Sequence, residues 1–256
     1  MALELYHSAH STCSQKVRLC LAEKGLDWVG HELHFASADH LQPEYLKLNP
    51  NGVVPTLVHD GEPVIESSVI CEYLDDLYPE PPLSPRDALG KARMRAWICY
   101  MNEVPTVAVR VPSFNRVFRP LRYESMTVEQ FEAHAGRMPL RKAFYRRMGT
   151  TDGFDDAETQ DALDKIRQTC ERIDAAIAKD GGPWVLGDLF SIIDITLTPS
   201  IQRMADLGYA PLWEDLPRMV KWWADVRARP SFAAAFYPGT NLSEKYPQFF
   251  EKAAKT

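Results

Sequence analysis

The chain has 256 residues, 45% of them hydrophobic and 25% charged, with a formal net charge of -6. That composition can bury a substantial core, and the negative balance gives no general attraction to nucleic acid or to an acidic membrane surface. No apolar run approaches the length of a transmembrane helix, and the opening Met1-Ala2-Leu3-Glu4 lacks the basic-then-apolar pattern of a secretory signal. Five cysteines, Cys13, Cys20, Cys71, Cys99 and Cys170, show neither paired nor metal-ligand spacing. They predict free thiols in a reducing cytoplasm and no metal site. Four of them fall among apolar residues of predicted helices, as small core fillers. Cys13 differs, because it lies in a loop.

Residues 1–79 alternate strand-like and helix-like segments. Leu3–His7 reads as a short strand. Ser14–Lys24 reads as a helix with Val17, Leu19, Cys20 and Leu21 on its apolar face and Gly25 placed for a C-cap. Trp28–Leu33 is a second strand, and Gln42–Leu48 a short helix begun by Pro43. Val54–His59 and Glu62–Glu66 flank Asp60-Gly61, a strong hairpin signal, and Ser67–Tyr78 is helical. The order β-α-β-α-β-β-α makes the first two strands parallel and the last two an antiparallel hairpin. Pro79, Pro81, Pro82 and Pro85 cannot continue a helix or a central strand. They place a linker at 80–86 between an α/β unit at 1–79 and an all-helical unit at 87–256.

The helical unit opens with a segment at 87–111, which Pro105 and Pro112 should break or bend. Thr127 with Gln130 three residues on predicts a capped helix start. Leu163, Ile166, Cys170, Ile173 and Ile177 form an amphipathic stripe, and Met219, Trp222, Trp223 and Val226 are core positions of a later helix. Between them, Arg110, Arg116, Arg119, Arg122, Arg137, Arg141, Lys142, Arg146 and Arg147 outweigh Glu124, Glu129 and Glu132. This basic insert is either a solvated helical face or a cover over a pocket that favours phenolate or carboxylate groups.

Three constellations carry chemistry. Ser11, Cys13 and Ser14 sit where a helix begins, and the free N–H groups and positive dipole end there stabilise an anion, a thiolate included. The same residue types are ordinary N-caps. At Val54-Pro55, a cis peptide would leave the Val54 N–H and C=O free to pair with an extended peptide; a plain trans proline at a strand entrance is the alternative. At Glu66-Ser67, the helix start can receive a carboxylate while Glu66 binds an ammonium group, or Ser67 simply caps the helix. Together the three fit one ligand: a peptide with an amino-acid end, a strand-pairing middle and a thiol.

Their order and spacing resemble the glutathione transferase superfamily. The resemblance covers nearly the whole chain. It rests on Lys16-Val17-Arg18-Leu19, on Asn49-Pro50-Asn51-Gly52-Val53-Val54-Pro55, on Glu66-Ser67-Ser68-Val69-Ile70-Cys71-Glu72-Tyr73-Leu74, and on Trp184–Ile195 in the C-terminal half. It implies a thioredoxin-like domain followed by an all-α domain, a cis Pro55, glutathione as co-substrate, and a homodimer or a dimer with a related subunit. In Trp184–Ile195, Ser191 and Asp194 have the spacing of a reciprocal N-cap, whose loss costs about 1 kcal/mol. They are expected to serve stability.

Ser11-Thr12-Cys13-Ser14 is similar to the zeta-like and reductive-dehalogenase branches, and Met126–Phe154 resembles the long insert of the bacterial β-aryl etherases. The resemblance implies glutathione binding at Val54, Pro55, Glu66 and Ser67. It makes Ser11 the first choice for the thiolate hydrogen bond, Ser14 the second, and Cys13 the third, as nucleophile or disulfide partner. An aromatic electrophile is expected among Trp97, Phe114, Phe118 and Tyr123. Val53 stands where the family often has Lys or Gln, and no Tyr occupies the thiol-activating position. His7 and His10 border the loop; each could face the site, and a surface position is the expected one. The favoured reaction is cleavage of a lignin-type aromatic ether. Dehalogenation, isomerisation or thiol transfer through Cys13 is the enzymatic alternative, and a binding module without catalysis the alternative of another class.

Overall fold

The computed structural model describes residues 2–251; Met1 and residues 252–256, the outer ends of the two expected units, lie outside the described residues. The first part of the chain builds a four-stranded mixed sheet from β1 (Leu3–His7), β2 (Val29–Glu32), β3 (Thr56–His59) and β4 (Glu62–Ile65), in the order β2-β1-β3-β4. Helix α1 (Thr12–Glu23) carries the crossover that makes β1 and β2 parallel, with Glu4 opposite Val29. β1 and β3 run antiparallel, as do β3 and β4. The Asp60-Gly61 turn between the last two has φ of 50° and 91°, the positive values a tight hairpin turn requires. Helices α2 (Pro43–Leu48) and α3 (Ser67–Leu77) complete this half. Its topology is the one read from the sequence.

The rest of the described chain is helical. Helix α4 (Ala88–Glu103) ends before Pro105, and the next stretch breaks into short turns: α5 (Pro105–Ala108), α6 (Arg110–Ser113), one π turn (Phe114–Phe118) and α7 (Arg119–Arg122). Pro105, Pro112 and Pro120 each remove a backbone donor, so no long helix can run through. Then follow α8 (Val128–Gly136), opened by the expected Thr127–Gln130 capping box, and α9 (Lys142–Met148). The 25-residue α10 (Asp156–Asp180), α11 (Ile192–Asp206), α12 (Pro217–Arg227), α13 (Pro230–Ala235) and α14 (Leu242–Lys245) complete the described chain.

One apolar core runs through both halves, from Leu5, Leu19 and Ile70 to Ile166, Ile195 and Trp222. Polar clamps reinforce the junction. Arg18, buried in α1, donates to the Ala235 carbonyl at 3.0 Å, and Arg229 forms a bidentate pair with Glu23 at 2.6 and 2.7 Å. The insert has a smaller core of its own, in which Tyr123, Phe131, Met138, Tyr145 and Phe154 pack with Leu41 of the sheet-bearing half. That contact roofs the space between the halves.

Asp194 is fully buried beneath this junction. It accepts from the Ser191 N–H (2.9 Å), from Trp222 Nε1 (2.8 Å) and from the Val185 N–H (3.2 Å), while Ser191 Oγ accepts from the Ile193 N–H (3.2 Å). Its role as a buried cap extends further than sequence spacing shows, because it also satisfies an indole from α12. One cysteine expectation fails: Cys99 is exposed on the outer side of α4, whereas Cys20, Cys71 and Cys170 are buried.

Candidate active site

The N-terminus of α1 is built by its own loop. Ser11 is the N-cap, with its hydroxyl accepting from the Ser14 N–H at 3.3 Å. Ser14 is fully buried, and its Oγ accepts from the Ser8 N–H at 3.2 Å. This corrects the second-choice role for Ser14: its hydroxyl is turned back into the loop and does not line the cavity. Ser11, Thr12 and Cys13 do line it.

Cys13 stands on the first turn of α1. Burial pushes its pKa up, but Lys16, Arg141, Arg110 and a hydrogen bond with Ser67 outweigh burial and leave the thiol below its ordinary value. Lys16 lies one helical turn beyond Cys13, a spacing that places both on one side of a helix. It is buried, and its Nζ donates to Ser68 Oγ at 3.0 Å. That embedded cation was missed at the sequence level, although the spacing itself was there to read.

The Val54–Pro55 peptide is cis. Tyr45 OH and Asn49 Nδ2 donate to the Val53 carbonyl at 2.5 and 2.9 Å, and both also reach Thr56 Oγ1 at 2.9 and 3.0 Å. Burial pushes the Tyr45 phenol up to about 12, so it remains a donor at neutral pH. This bracing leaves the Val54 N–H and C=O without a hydrogen bond among the described residues. Val54 lines the cavity, whereas Pro55 is buried behind it. Tyr45 and Asn49 are structural partners that the sequence reading did not identify. Gly52 has φ of 59°, and a Cβ there would lie 3.0 Å from both Leu41 and Pro139, so the turn presses closely against the insert.

Glu66, not Ser67, occupies the N-cap position of α3, with φ of 69° and no side-chain cap bond. This corrects the simple-capping reading of Ser67. A non-glycine residue in that region stores strain of order 1–3 kcal/mol, a feature concentrated at functional sites. Glu66 Oε1 accepts from Asn51 Nδ2 at 3.3 Å, and Asn51 lines the cavity. Ser67 is buried, and its hydroxyl is one of the groups that lower the Cys13 pKa.

The opposite wall of the cavity comes from the insert. Phe114, Phe118 and Tyr123 line it together with Tyr145 and Phe35. Trp97 does not: it is only 9% exposed, and Arg172 covers its ring at 4.6 Å. Trp97, expected in the electrophile pocket, lies instead on the side of α4 that faces the core.

His10 also corrects its expectation. It is buried, lines the cavity, and packs edge-on to Phe35 at 5.9 Å. Burial, helped by Arg203 and Arg122, lowers its pKa to about 3. His40 and His134 line the same space; burial lowers the first to about 4 and lowers the second as well. One ring nitrogen on each of the three is buried without a partner. His7, also buried rather than exposed, packs instead against Arg18, with its Nδ1 at 3.2 Å from Nη1, and burial holds it at about 4. Among the described residues, no group of three or more His, Cys, Asp and Glu side chains is placed to hold a metal ion.

The family model described as "Glutathione S-transferase, N-terminal domain" matches residues 5–82, and that described as "Glutathione S-transferase, C-terminal domain" matches residues 156–237. The chain is 28% identical over 245 residues to Protein LigF of Sphingobium sp. (strain NBRC 103272 / SYK-6), covering 92% of this chain and 93% of that protein. It is 29% identical over 246 residues to Glutathione S-transferase Z1 of Arabidopsis thaliana, covering 96% and 93%. The crystal structure of beta-etherase LigF from Sphingobium sp. strain SYK-6 superposes with a TM-score of 0.81 at 27% identity, covering 92% of this chain and 99% of that one. Residues 83–155, which hold the short turns and the whole basic insert, lie between the two family matches.

Proposed function

Because this chain belongs to the glutathione S-transferase family, we propose that it directs the glutathione thiolate onto an electrophilic carbon of an aromatic substrate, and that its reaction is cleavage of a β-aryl ether. A C–S bond forms as the C–O bond breaks. The departing phenolate keeps the electron pair and takes up a proton. The observation that carries this reading is the cavity itself, with Ser11, Cys13 and Val54 on one wall and Phe114, Phe118 and Tyr123 on the other. The likeness to LigF over nearly the full length of both chains supports the choice of reaction.

In this reading, residues 1–79 hold glutathione and 87–256 supply the electrophile pocket, with 80–86 between them. The peptide's middle pairs with the Val54 backbone beside Pro55. Its ammonium meets Glu66, and its carboxylate the Ser67 end of α3. The start of α1 stabilises the thiolate, with Ser11 as the hydroxyl that reaches it. Orientation of two bound reactants and a lowered thiol pKa are the protein's contributions. The active form is a dimer in a reducing cytoplasm.

A second reading is favoured by Cys13, whose thiol faces the cavity with a lowered pKa. There the Cys13 thiolate attacks the glutathione sulfur of a thioether or disulfide, and the S–S bond forms as the carbon (which takes up a proton) or thiolate leaves. A second glutathione reduces the protein–glutathione disulfide, as in dehalogenation or thiol transfer; isomerisation on the same scaffold needs no disulfide. Cys13→Ser separates the two. Undiminished ether cleavage in that variant supports the first, and a protein–glutathione disulfide trapped in the wild type supports the second. Failure to bind glutathione in calorimetry would overturn both in favour of a non-catalytic module.

A further inference from the structure

Nine basic side chains crowd the insert from Arg110 to Arg147, and they divide sharply by what they touch. Arg116 donates to the Leu207 carbonyl at 2.7 Å and lies 4.4 Å over Phe250. Arg119 reaches the Thr151 carbonyl at 2.8 Å, and Arg146 pairs with Glu132 at 2.9 Å. Arg147 pairs with Glu158. These hold the insert to itself and to its neighbours.

Three arginines of the insert line the cavity instead: Arg122 lies 5.6 Å over both the Phe35 and Phe118 rings, which leaves Arg110 and Arg141. Both are partly buried, both line the cavity, and neither guanidinium makes a hydrogen bond or ion pair among the described residues. Burial, followed by the neighbouring Arg141 charge, lowers Arg110 to about 10. Two cations lining one partly dry cavity repel, and such a pair is stabilised by an anion shared between them. Among the described residues lining the cavity there is no Asp or Glu, and the protein group these two charges act on there is the Cys13 thiol, whose pKa they lower. His10 and His40 remain neutral there at pH 7, so the positive charge comes from arginine alone. The adjoining wall is aromatic, formed by Phe114, Phe118 and Tyr145.

We infer that Arg110 and Arg141 form a subsite for a carboxylate or phenolate group of the electrophile, so that the second substrate is an aromatic anion whose charged group is held beside Cys13. The inference rests on the transferase reading and names the substrate class of the same cavity. Guanidinium groups match a carboxylate bidentately, whereas the aromatic wall takes the ring.

The test is titration calorimetry on the full chain saturated with glutathione, with phenoxyacetate and its neutral amide, phenoxyacetamide, as matched probes. Glutathione affinity is measured first and separately, so a failure of the transferase reading shows before the probes are added. The wild type should bind phenoxyacetate about tenfold or more tighter than the amide, as charge-assisted hydrogen bonds imply. In Arg110→Gln and Arg141→Gln that preference should collapse while glutathione affinity stays within about twofold. Circular dichroism checks that each variant is folded, and Arg137→Gln, an exposed change in the same insert, should keep the full preference. Equal binding of acid and amide by the wild type would overturn the subsite. So would a loss of glutathione affinity in the two cavity variants with the acid preference intact, because the pair would then serve the peptide.

Discussion

Asn51 Nδ2 lies 3.3 Å from Glu66 Oε1, joining a residue that lines the cavity to the residue that opens α3. The contact holds the exposed Glu66 side chain, on a backbone at φ 69°, next to a residue that lines the cavity. Glu66→Gln keeps an oxygen for Asn51 and removes only the charge. It should weaken glutathione binding about tenfold, the value of one charge-assisted contact, with a smaller change in kcat. Calorimetry for affinity and initial rates for kcat check the division.

Cys13 should be alkylated by iodoacetamide as a thiolate at pH values below the ordinary thiol range. Lys16, Arg141 and Arg110 together outweigh burial at this site. Replacing the largest favourable charge, in Lys16→Met, should raise the apparent pKa of alkylation. A pH profile that does not move in that variant would show that Lys16 does not set the thiol.

Ser11 carries two expectations that separate experimentally. As the N-cap of α1, its replacement by Ala should cost about 1 kcal/mol in urea unfolding. As the hydroxyl that reaches the glutathione sulfur, its loss should lower kcat by about a hundredfold. A stability change with full kcat would leave it a cap and nothing more.

Acid should destabilise the fold through three buried histidines. Burial lowers His10 to about 3 and His7 and His40 to about 4, from 6.5. A lowered folded pKa means that the unfolded chain binds more protons in the interval between the two values. Their contribution is therefore complete above pH 6.5 and is lost as pH falls toward 4. Each histidine adds a slope of about 1.4 kcal/mol per pH unit within that window. Urea unfolding at successive pH values from 7 to 5 should show the fall, and His10→Gln should reduce its steepness.

The sheet-bearing half was legible because its signals are local. Alternating apolar residues, Pro43 at a helix start and Asp60-Gly61 at a turn each act within a few residues, and the observed strands follow them closely. The glutathione side of the candidate site was partly legible for the same reason, since a helix start or a turn is a local feature. The far wall was not. Arg110 and Arg116 look alike in sequence, yet one faces the cavity and the other holds the Leu207 carbonyl. Trp97 carries the right chemistry, but its direction depends on how α4 packs against the core. His10 looked like a loop histidine at the surface; it is buried because Phe35, Phe118 and Tyr246 close around it. Tertiary packing decides these positions, and no local period reports it.

Asp194→Ala should be the most damaging of these changes to stability. It leaves the Trp222 indole N–H and the Ser191 and Val185 N–H groups buried without their acceptor. A loss of about 3 kcal/mol or more is expected from stranding several buried donors. Chemical denaturation measures it, and a loss under about 1 kcal/mol would mean that the network contributes little.

The most direct measurement is turnover of a β-aryl ether by the full chain with glutathione present, following phenol and glutathione thioether together. The account predicts equal amounts of both products, formed only when protein and glutathione are both supplied. Intact glutathione binding with no phenol released would contradict it.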